Sequence, residues 1–94
     1  MPLHLLCRNR VQDFDRWKSV FDSHAEAHRA AGLLLVHLWR DESNANDVFF
    51  LFEIADVEKA KAFIADPKAA NAGRASGVIE GEYRFLRTAP AYPA

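Results

Sequence analysis

Two segments of the sequence, 33–39 and 48–52, are apolar at nearly every position, and they constrain the fold more than any other feature. Their lengths and their content of Leu, Val, Phe and Trp are typical of β-strands. Successive side chains of a strand point to opposite faces of the sheet, so both faces of these two strands are apolar. A sheet with one face in water would instead alternate apolar and polar residues. The sequence therefore predicts a sheet that is covered on both faces.

The remaining segments supply two more strands and two helical regions. A first helix is predicted from an N-cap at Asp13 to Gly32, which suits the left-handed position after a helix. A second helix begins at Asp56, and the pair Asp66 and Pro67 predicts a bend and a restart that ends near Gly77. The polar segment 41–47 is typical of a hairpin connection. The predicted strands are 2–9, 33–40, 48–54 and 78–87.

The order of these elements predicts a ferredoxin-like α+β domain, β-α-β-β-α-β, with a four-stranded antiparallel sheet and helices on one face. Two helices cover only one face, so a second copy of the same sheet is the simplest cover for the other. We therefore expect a homodimer through the open sheet face. A length of 94 residues fits one domain, 1–94, with a loosely held tail at 88–94.

Composition and charge exclude several classes of partner and compartment. The formal net charge of −1 favours neither nucleic acid nor anionic lipid. Strand three lacks the basic-Gly motif and strand one lacks the aromatic residue that RNA-binding domains of this topology carry. One cysteine cannot form an intrachain disulfide, and no apolar run approaches the roughly 20 residues of a membrane span. We expect a cytoplasmic protein that binds neither nucleic acid nor membrane.

Several segments resemble the small dimeric α+β barrel proteins related to antibiotic biosynthesis monooxygenases. The similarity runs through 13–21 with His24, Arg29 and Gly32, and continues through the segments 50–53, 56–67 and 77–78. It covers nearly the whole chain. The resemblance implies that two sheets close into a barrel across a two-fold axis. It also implies a pocket between the sheet and the helices of each subunit.

The same resemblance leaves the reaction open. Members of that superfamily carry out cofactor-independent oxygenation, haem degradation or isomerisation, and others have no known activity. The monooxygenase branch places Asn, Trp and Tyr around a polyphenol. Asn9 matches the strand asparagine of that set, whereas Trp39 and Tyr83 lie outside its pattern, and the Asn, Trp and His spacing of the haem-degrading branch also fails. The resemblance thus implies a fold and a pocket.

His24 and His28 are the candidate catalytic residues. Their i, i+4 spacing puts both rings on the apolar face of the first helix, beside Trp17 and Phe21. Burying two unpaired imidazoles against Leu and Phe would cost roughly 1–3 kcal/mol for each unpaired group. One interpretation is a pocket in which a histidine is a proton shuttle or a ligand contact. The alternative is that both rings lie at the helix edge and bond to backbone or water.

The predicted ligand pocket adds two strand residues to the four on the helix, giving Trp17, Phe21, His24, His28, His37 and Glu53. Each strand residue has a second interpretation. His37 and Trp39 share one predicted face with Leu33 and Leu35, where they line the pocket or the dimer interface. Glu53 pairs with Arg84 or Arg87 in the alternative that we favour, and Cys7 is expected to be a small buried side chain.

We expect no metal and no cofactor. The His24 and His28 pair matches zinc-type spacing, but the third ligand would have to come from His4, His37, Glu53 or Cys7. The leading functional hypothesis is a dimeric protein with a pocket for an apolar or aromatic small molecule and a cofactor-independent, monooxygenase-like reaction. The alternative is a non-catalytic dimeric module for ligand sensing or structure.

Overall fold

The computed structural model describes residues 3–89, and these residues confirm the predicted ferredoxin-like α+β fold. Each predicted helical region consists of two helices. Residues 90–94 of the predicted tail lie outside the described residues. In chain order the elements are β1 (Leu3–Val11), α1 (Phe14–Ser23), α2 (Ala25–Ala30), β2 (Leu33–Arg40), β3 (Asp47–Ile54), α3 (Val57–Ala65), α4 (Pro67–Ala75) and β4 (Val78–Arg87).

The four strands form one antiparallel sheet in the order β2-β3-β1-β4. Leu5 of β1 lies opposite Phe52 of β3 on one side and Phe85 of β4 on the other. These three residues therefore point to the same face, which carries the helices. The apolar core lies between this face and the helices, and its buried members are Leu5, Cys7, Val11, Trp17, Ala31, Leu33, Val48, Phe50, Phe52 and Ala60.

Three aspartates begin helices because their carboxylates accept backbone N–H groups that the first turn leaves free. Asp13 accepts from Asp15 N at 3.2 Å, Asp56 from Lys59 N at 3.1 Å and Asp66 from Lys68 N at 2.9 Å. The predicted restart after Asp66 is the N-terminus of α4, with Pro67 in its first turn. The three caps thus define the residues at which α1, α3 and α4 begin.

Gly32 is needed where α2 turns into β2. Its φ of +75° lies in the left-handed region, and a Cβ there would be 2.8 Å from the backbone nitrogen of Asp56. The carbonyl of Gly32 also accepts the N–H of Ala55 at 2.7 Å. The close approach fixes the start of β2 against the end of β3.

The first helical region is broken at His24, where one continuous helix was predicted. His24 has φ −100° and ψ 10°, and its N–H donates to Phe21 O at 3.1 Å. Its ring nitrogen Nδ1 makes a hydrogen bond of 2.8 Å with Val20 O. Local hydrogen bonds of this kind between a side chain and the backbone compete with regular helix geometry. The helix resumes when His28 N donates to His24 O at 2.9 Å. The break leaves His24 and His28 as neighbours, with ring centroids 6.5 Å apart.

A second correction concerns β2, in which Val36 forms an irregularity between Leu35 and His37. Leu35 pairs with Phe52 and faces the helices, whereas His37 pairs with Leu51 and faces the opposite way. The prediction that His37 and Trp39 share a face with Leu33 and Leu35 is therefore wrong. An extra residue in one strand exchanges the faces of every residue that follows it.

We call the sheet face without helices the outer face. Its apolar side chains lie mainly on β2, β3 and β1, and its charged side chains lie mainly on β1 and β4. Leu34 and Trp39 are 43% and 46% exposed there. In the described part of the chain, no helix is long and apolar enough to cross a membrane.

Candidate functional site

A cavity of about 380 Å³ lies between the sheet and the helices. Apolar side chains, aliphatic and aromatic, form most of its walls, and a small number of polar side chains from β1, the first helical region and the end of α4 also line it. The exposed residues Asp66 and Lys68 line one end and mark its mouth. The aromatic wall residues are Trp17, Phe21, Phe50, Phe52, Phe63 and Tyr83, and the polar ones inside the mouth are Asn9, His24, His28 and Ser76.

The structure brings four of the six predicted pocket residues together. Trp17, Phe21, His24 and His28 all line the cavity, because the break at His24 does not rotate α2 away from the sheet. His37 lies on the outer face, where its ring stacks on Trp39 at 4.8 Å between centroids.

Glu53 also lies on the outer face and does not reach the cavity. It is opposite His4 of β1, and β1 separates it from both arginines that were expected to pair with it. The expected bond to Arg84 or Arg87 is therefore absent, and Glu53 has no ion pair within residues 3–89. The strand order β2-β3-β1-β4 decides this outcome.

Trp17 anchors the floor of the cavity. It is 2% exposed and stacks on Phe21 at 4.7 Å, with Phe50 at 5.5 Å. Its indole Nε1–H donates to the side-chain oxygen of Asn9 at 3.2 Å when the amide is oriented so that its nitrogen donates to Arg8 O. A buried indole N–H normally has such a partner.

Asn9 is a cavity residue that the helix pattern could not indicate. The alternation of β1 does contain the signal, because Leu5, Cys7 and Asn9 are two residues apart and share a face. Gly81 lies opposite Asn9 on β4, and a Cβ at Gly81 would be 3.1 Å from the Asn9 amide. The missing side chain at Gly81 leaves room for Asn9. Tyr83 of β4 was also missed, since only the strand register brings it opposite Cys7.

His24 presents a defined tautomer to the cavity. Its Nδ1 lies 2.8 Å from the carbonyl oxygen of Val20. A carbonyl only accepts hydrogen bonds, so Nδ1 carries the proton and donates. In the neutral ring the opposite nitrogen, Nε2, is then a hydrogen-bond acceptor.

His28 is enclosed by aromatic rings. The centroids of Phe21, Phe52 and Phe63 lie 5.1, 5.3 and 5.6 Å from that of His28. Burial lowers the pKa of His28, and the nearby ring of His24 lowers this pKa further. The imidazole is therefore neutral at pH 7, so that it can accept a proton or a hydrogen bond.

The ring nitrogens of His28 have no hydrogen-bond partner among residues 3–89. In the same residues, every fully enclosed side-chain nitrogen or oxygen does have a partner. The nitrogens of His28 therefore border open space, and a ligand or solvent can reach them. Among the described residues this is the polar group that the protein most clearly leaves for a ligand.

Cys7 lines the cavity but is poorly suited to nucleophilic chemistry. Burial raises the pKa of its thiol to about 12, so the reactive thiolate is absent at neutral pH. No group of three or more His, Cys, Asp and Glu side chains in the part of the chain described here could hold a metal ion. The polar chemistry of the cavity is thus that of two imidazoles, an amide and a hydroxyl group.

Several solved proteins superimpose on this chain over nearly its full length. A cofactor-independent oxygenase from Streptomyces nogalater gives a TM-score of 0.75 at 16% identity, covering 99% of this chain and 98% of that chain. A protein described as an antibiotic biosynthesis monooxygenase gives 0.69 at 15%, covering 94% and 99%. An uncharacterised NIPSNAP domain protein from Burkholderia xenovorans gives 0.67 at 17%, covering 98% and 99%.

The fold is that of antibiotic biosynthesis monooxygenase-like proteins. The resemblance seen in the sequence is confirmed at this level. No protein-family model and no curated protein matches the sequence. At these low identities the structural likeness establishes the fold alone, and one fold supports many activities.

Proposed function

We propose that this chain binds a planar aromatic molecule in the cavity between sheet and helices, and that it oxygenates this molecule without a metal or an organic cofactor. The observation that carries the proposal is the neutral His28, which lines a largely apolar cavity of about 380 Å³ and whose ring nitrogens have no hydrogen-bond partner within residues 3–89. Apolar cavities of a few hundred Å³ with a small number of convergent polar groups are typical ligand sites.

The walls favour a flat, electron-rich ring that carries hydroxyl groups. Phe21, Phe52 and Phe63 offer ring faces and edges for stacking. His24 Nε2 and a nitrogen of His28 are acceptors, so they pair with a phenolic O–H and disfavour a carboxylate. A polyphenol meets both requirements.

A neutral imidazole also supplies the proton transfer that such a reaction needs. A methylene between phenolic rings loses a proton to His28, and the resulting carbanion reduces dioxygen and forms a carbon–oxygen bond. The carbon ends as a carbonyl, and the second oxygen atom leaves as water with the two methylene hydrogens. Dioxygen is the oxidant, which agrees with the description of the Streptomyces nogalater protein as cofactor-independent.

The binding step is tested by thermal shift with naphthol, hydroquinone and naphthoquinone, with haem and zinc included in the same screen. We expect naphthol to raise the melting temperature, because a ligand that binds only the folded state stabilises it. His28→Leu removes the acceptor and weakens binding at least tenfold. His37→Leu, on the outer face, is the matched control and binds as the parent protein does. Equal binding by both variants would contradict the proposed site.

A turnover assay distinguishes the hypothesis of an enzyme from that of a non-catalytic module. Incubation of the protein with dihydroxyanthrone and dioxygen should produce the anthraquinone, and the His28→Leu variant should lose this product while the His37→Leu variant keeps it. Tight binding of naphthol without turnover of any anthrone would support the alternative of a ligand-sensing module.

We also propose that the protein is a homodimer joined through the outer faces of two sheets. Leu34, Trp39 and Leu86 are 43%, 46% and 40% exposed, and Leu6, Phe49 and Leu51 share the same face. An apolar surface with members on all four strands is unusual on a monomer. Light scattering at micromolar concentration should give the mass of a dimer, and a monomeric mass would overturn this part of the proposal.

A further inference from the structure

A second cavity, of about 350 Å³, lies beside the first between α2 and the edge strand β2. It shares four wall residues with the first cavity, namely Phe21, His28, Leu33 and Phe52. The two cavities therefore adjoin each other.

The divider is the side chain of His28 with its aromatic neighbours. Its nitrogens have no partner within residues 3–89, so a change of its rotamer breaks no protein hydrogen bond. It contacts Phe21 and Phe52 through ring edges and faces rather than through polar atoms. The imidazole therefore lies at the boundary between the two cavities.

The second cavity differs from the first in chemistry. The uncharged residues that line only this cavity are aliphatic, namely Ala25, Leu34 and Leu35. Its charged residues, Asp22 and Arg29, are exposed at its rim, and Asp22 is bound to Lys18 at 2.6 Å. Apart from His28 it offers no uncharged polar side chain, so a hydroxyl group buried there would lack a partner. A saturated carbon chain suits it better than a second hydroxylated ring.

We propose that the two cavities form one bipartite site, and that its ligand is a hydroxylated aromatic ring with an alkyl arm of several carbons. The ring occupies the first cavity and the arm passes His28 into the second. This inference rests on the proposed binding of an aromatic molecule in the first cavity. It adds an apolar arm, which nothing in the first cavity requires.

The test is a series of 5-alkylresorcinols whose chain grows from methyl to heptyl, with binding followed by tryptophan fluorescence. Burial of each methylene should tighten binding about fourfold until the second cavity is full. Leu35→Arg fills the second cavity with a guanidinium group and should flatten this gain. Ile79→Arg is the matched control, because Ile79 is 52% exposed, compared with 47% for Leu35, and lines neither cavity.

Ala25→Leu provides a second variant, since it narrows the same cavity from the helix side if Leu35→Arg fails to fold. The bipartite site would be overturned if the affinity of the parent protein did not rise with alkyl chain length, or if the rise persisted in both variants. Naphthol binding in the first cavity would still stand. Failure of naphthol and of every resorcinol to bind would overturn the proposed function and this inference together.

Discussion

Arg8 on the outer face of the sheet and His28 on the helix-bearing side show two different treatments of a polar group. On the outer face, the guanidinium of Arg8 donates to both carboxylate oxygens of Asp47, at 2.8 and 3.0 Å, and also lies 3.4 Å from Glu80. On the helix-bearing face, His28 has no partner within the described residues and borders a cavity. A polar group whose bonds are satisfied by its own chain stabilises the sheet. A polar group that is left open is available to a ligand.

The outer face is itself divided into two halves. Trp39, Phe49 and Leu51 make the half on β2 and β3 apolar, whereas β1 and β4 carry a ladder of charges. Arg8 and Arg10 both contact Glu80 across that ladder. An apolar half drives association, and charged neighbours set its orientation, because like charges that meet at an interface are costly.

The largest effect should come from comparing the two tryptophans. Trp17→Ala removes a side chain that is 2% exposed, and we expect a loss of about 3–5 kcal/mol in the free energy of unfolding. Trp39 is 46% exposed, so Trp39→Ala should cost less. The cost for Trp39→Ala should grow with protein concentration, because that residue lies on the proposed interface. Denaturant unfolding at two protein concentrations measures the stability loss of each variant. Losses of equal size that do not depend on protein concentration would refute the assignment of the two residues to their faces.

The next effect concerns self-association. Leu51→Lys places a charge at the centre of the outer face, between His37 and Leu6. Desolvating that ammonium group in a dimer is costly, so the dissociation constant should rise about 100-fold. Leu35→Lys is the control, because Leu35 faces the helices and lies outside the interface. Sedimentation over a dilution series checks both variants, and an unchanged dimer in Leu51→Lys would place the interface elsewhere.

The sequence predicted those parts of the molecule that local chemistry decides. The caps at Asp13, Asp56 and Asp66 and the left-handed Gly32 follow from single side chains and their immediate neighbours. Helix periodicity placed Trp17, Phe21, His24 and His28 on one side, and the structure sets all four around one cavity.

The positions of several side chains that depend on the pairing of distant strands were not predicted. The irregularity at Val36 moved His37 to the outer face, because alternation along a strand contains no sign of an extra residue. Glu53 and Tyr83 owe their positions to β1, which lies between β3 and β4. The break at His24 depends on a ring nitrogen that bonds to its own helix rather than on any loss of apolar periodicity.

A smaller effect should appear at alkaline pH on the helix-bearing face. The pKa of Cys7 is about 12 in the folded protein, against an ordinary value of 9.0. The unfolded thiol ionises above pH 9 while the folded one does not, so stability is complete below pH 9 and falls as the pH rises toward 12. We expect a loss of about 1.4 kcal/mol between roughly pH 8 and 10. Denaturation of the Cys7→Ala variant at the same two pH values should show a smaller loss of stability, because the titrating thiol is gone. A loss identical to that of the parent protein would show that Cys7 does not cause it.

The smallest effect should appear at acidic pH and tests the open polar group itself. Burial and then the ring of His24 lower the pKa of His28 below its ordinary value of 6.5. As the pH falls through about 6.5, the unfolded chain takes up a proton that the folded chain does not, so folding stability declines. The charged groups near the site, Asp66 and Lys68 at the mouth and Arg29 at the rim of the second cavity, are exposed and screened by solvent.

The same protonation has a consequence for binding that separates His28 from the histidines of the outer face. A protonated imidazole no longer accepts a hydrogen bond, so the affinity for naphthol should decline as the pH falls through the pKa of His28 in the folded protein, which lies below 6.5. His28→Leu should remove its part of the stability loss, whereas His37→Leu should keep both declines. If His37→Leu instead abolished them, the titrating group would lie on the outer face, and the contrast between open and satisfied polar groups would fail.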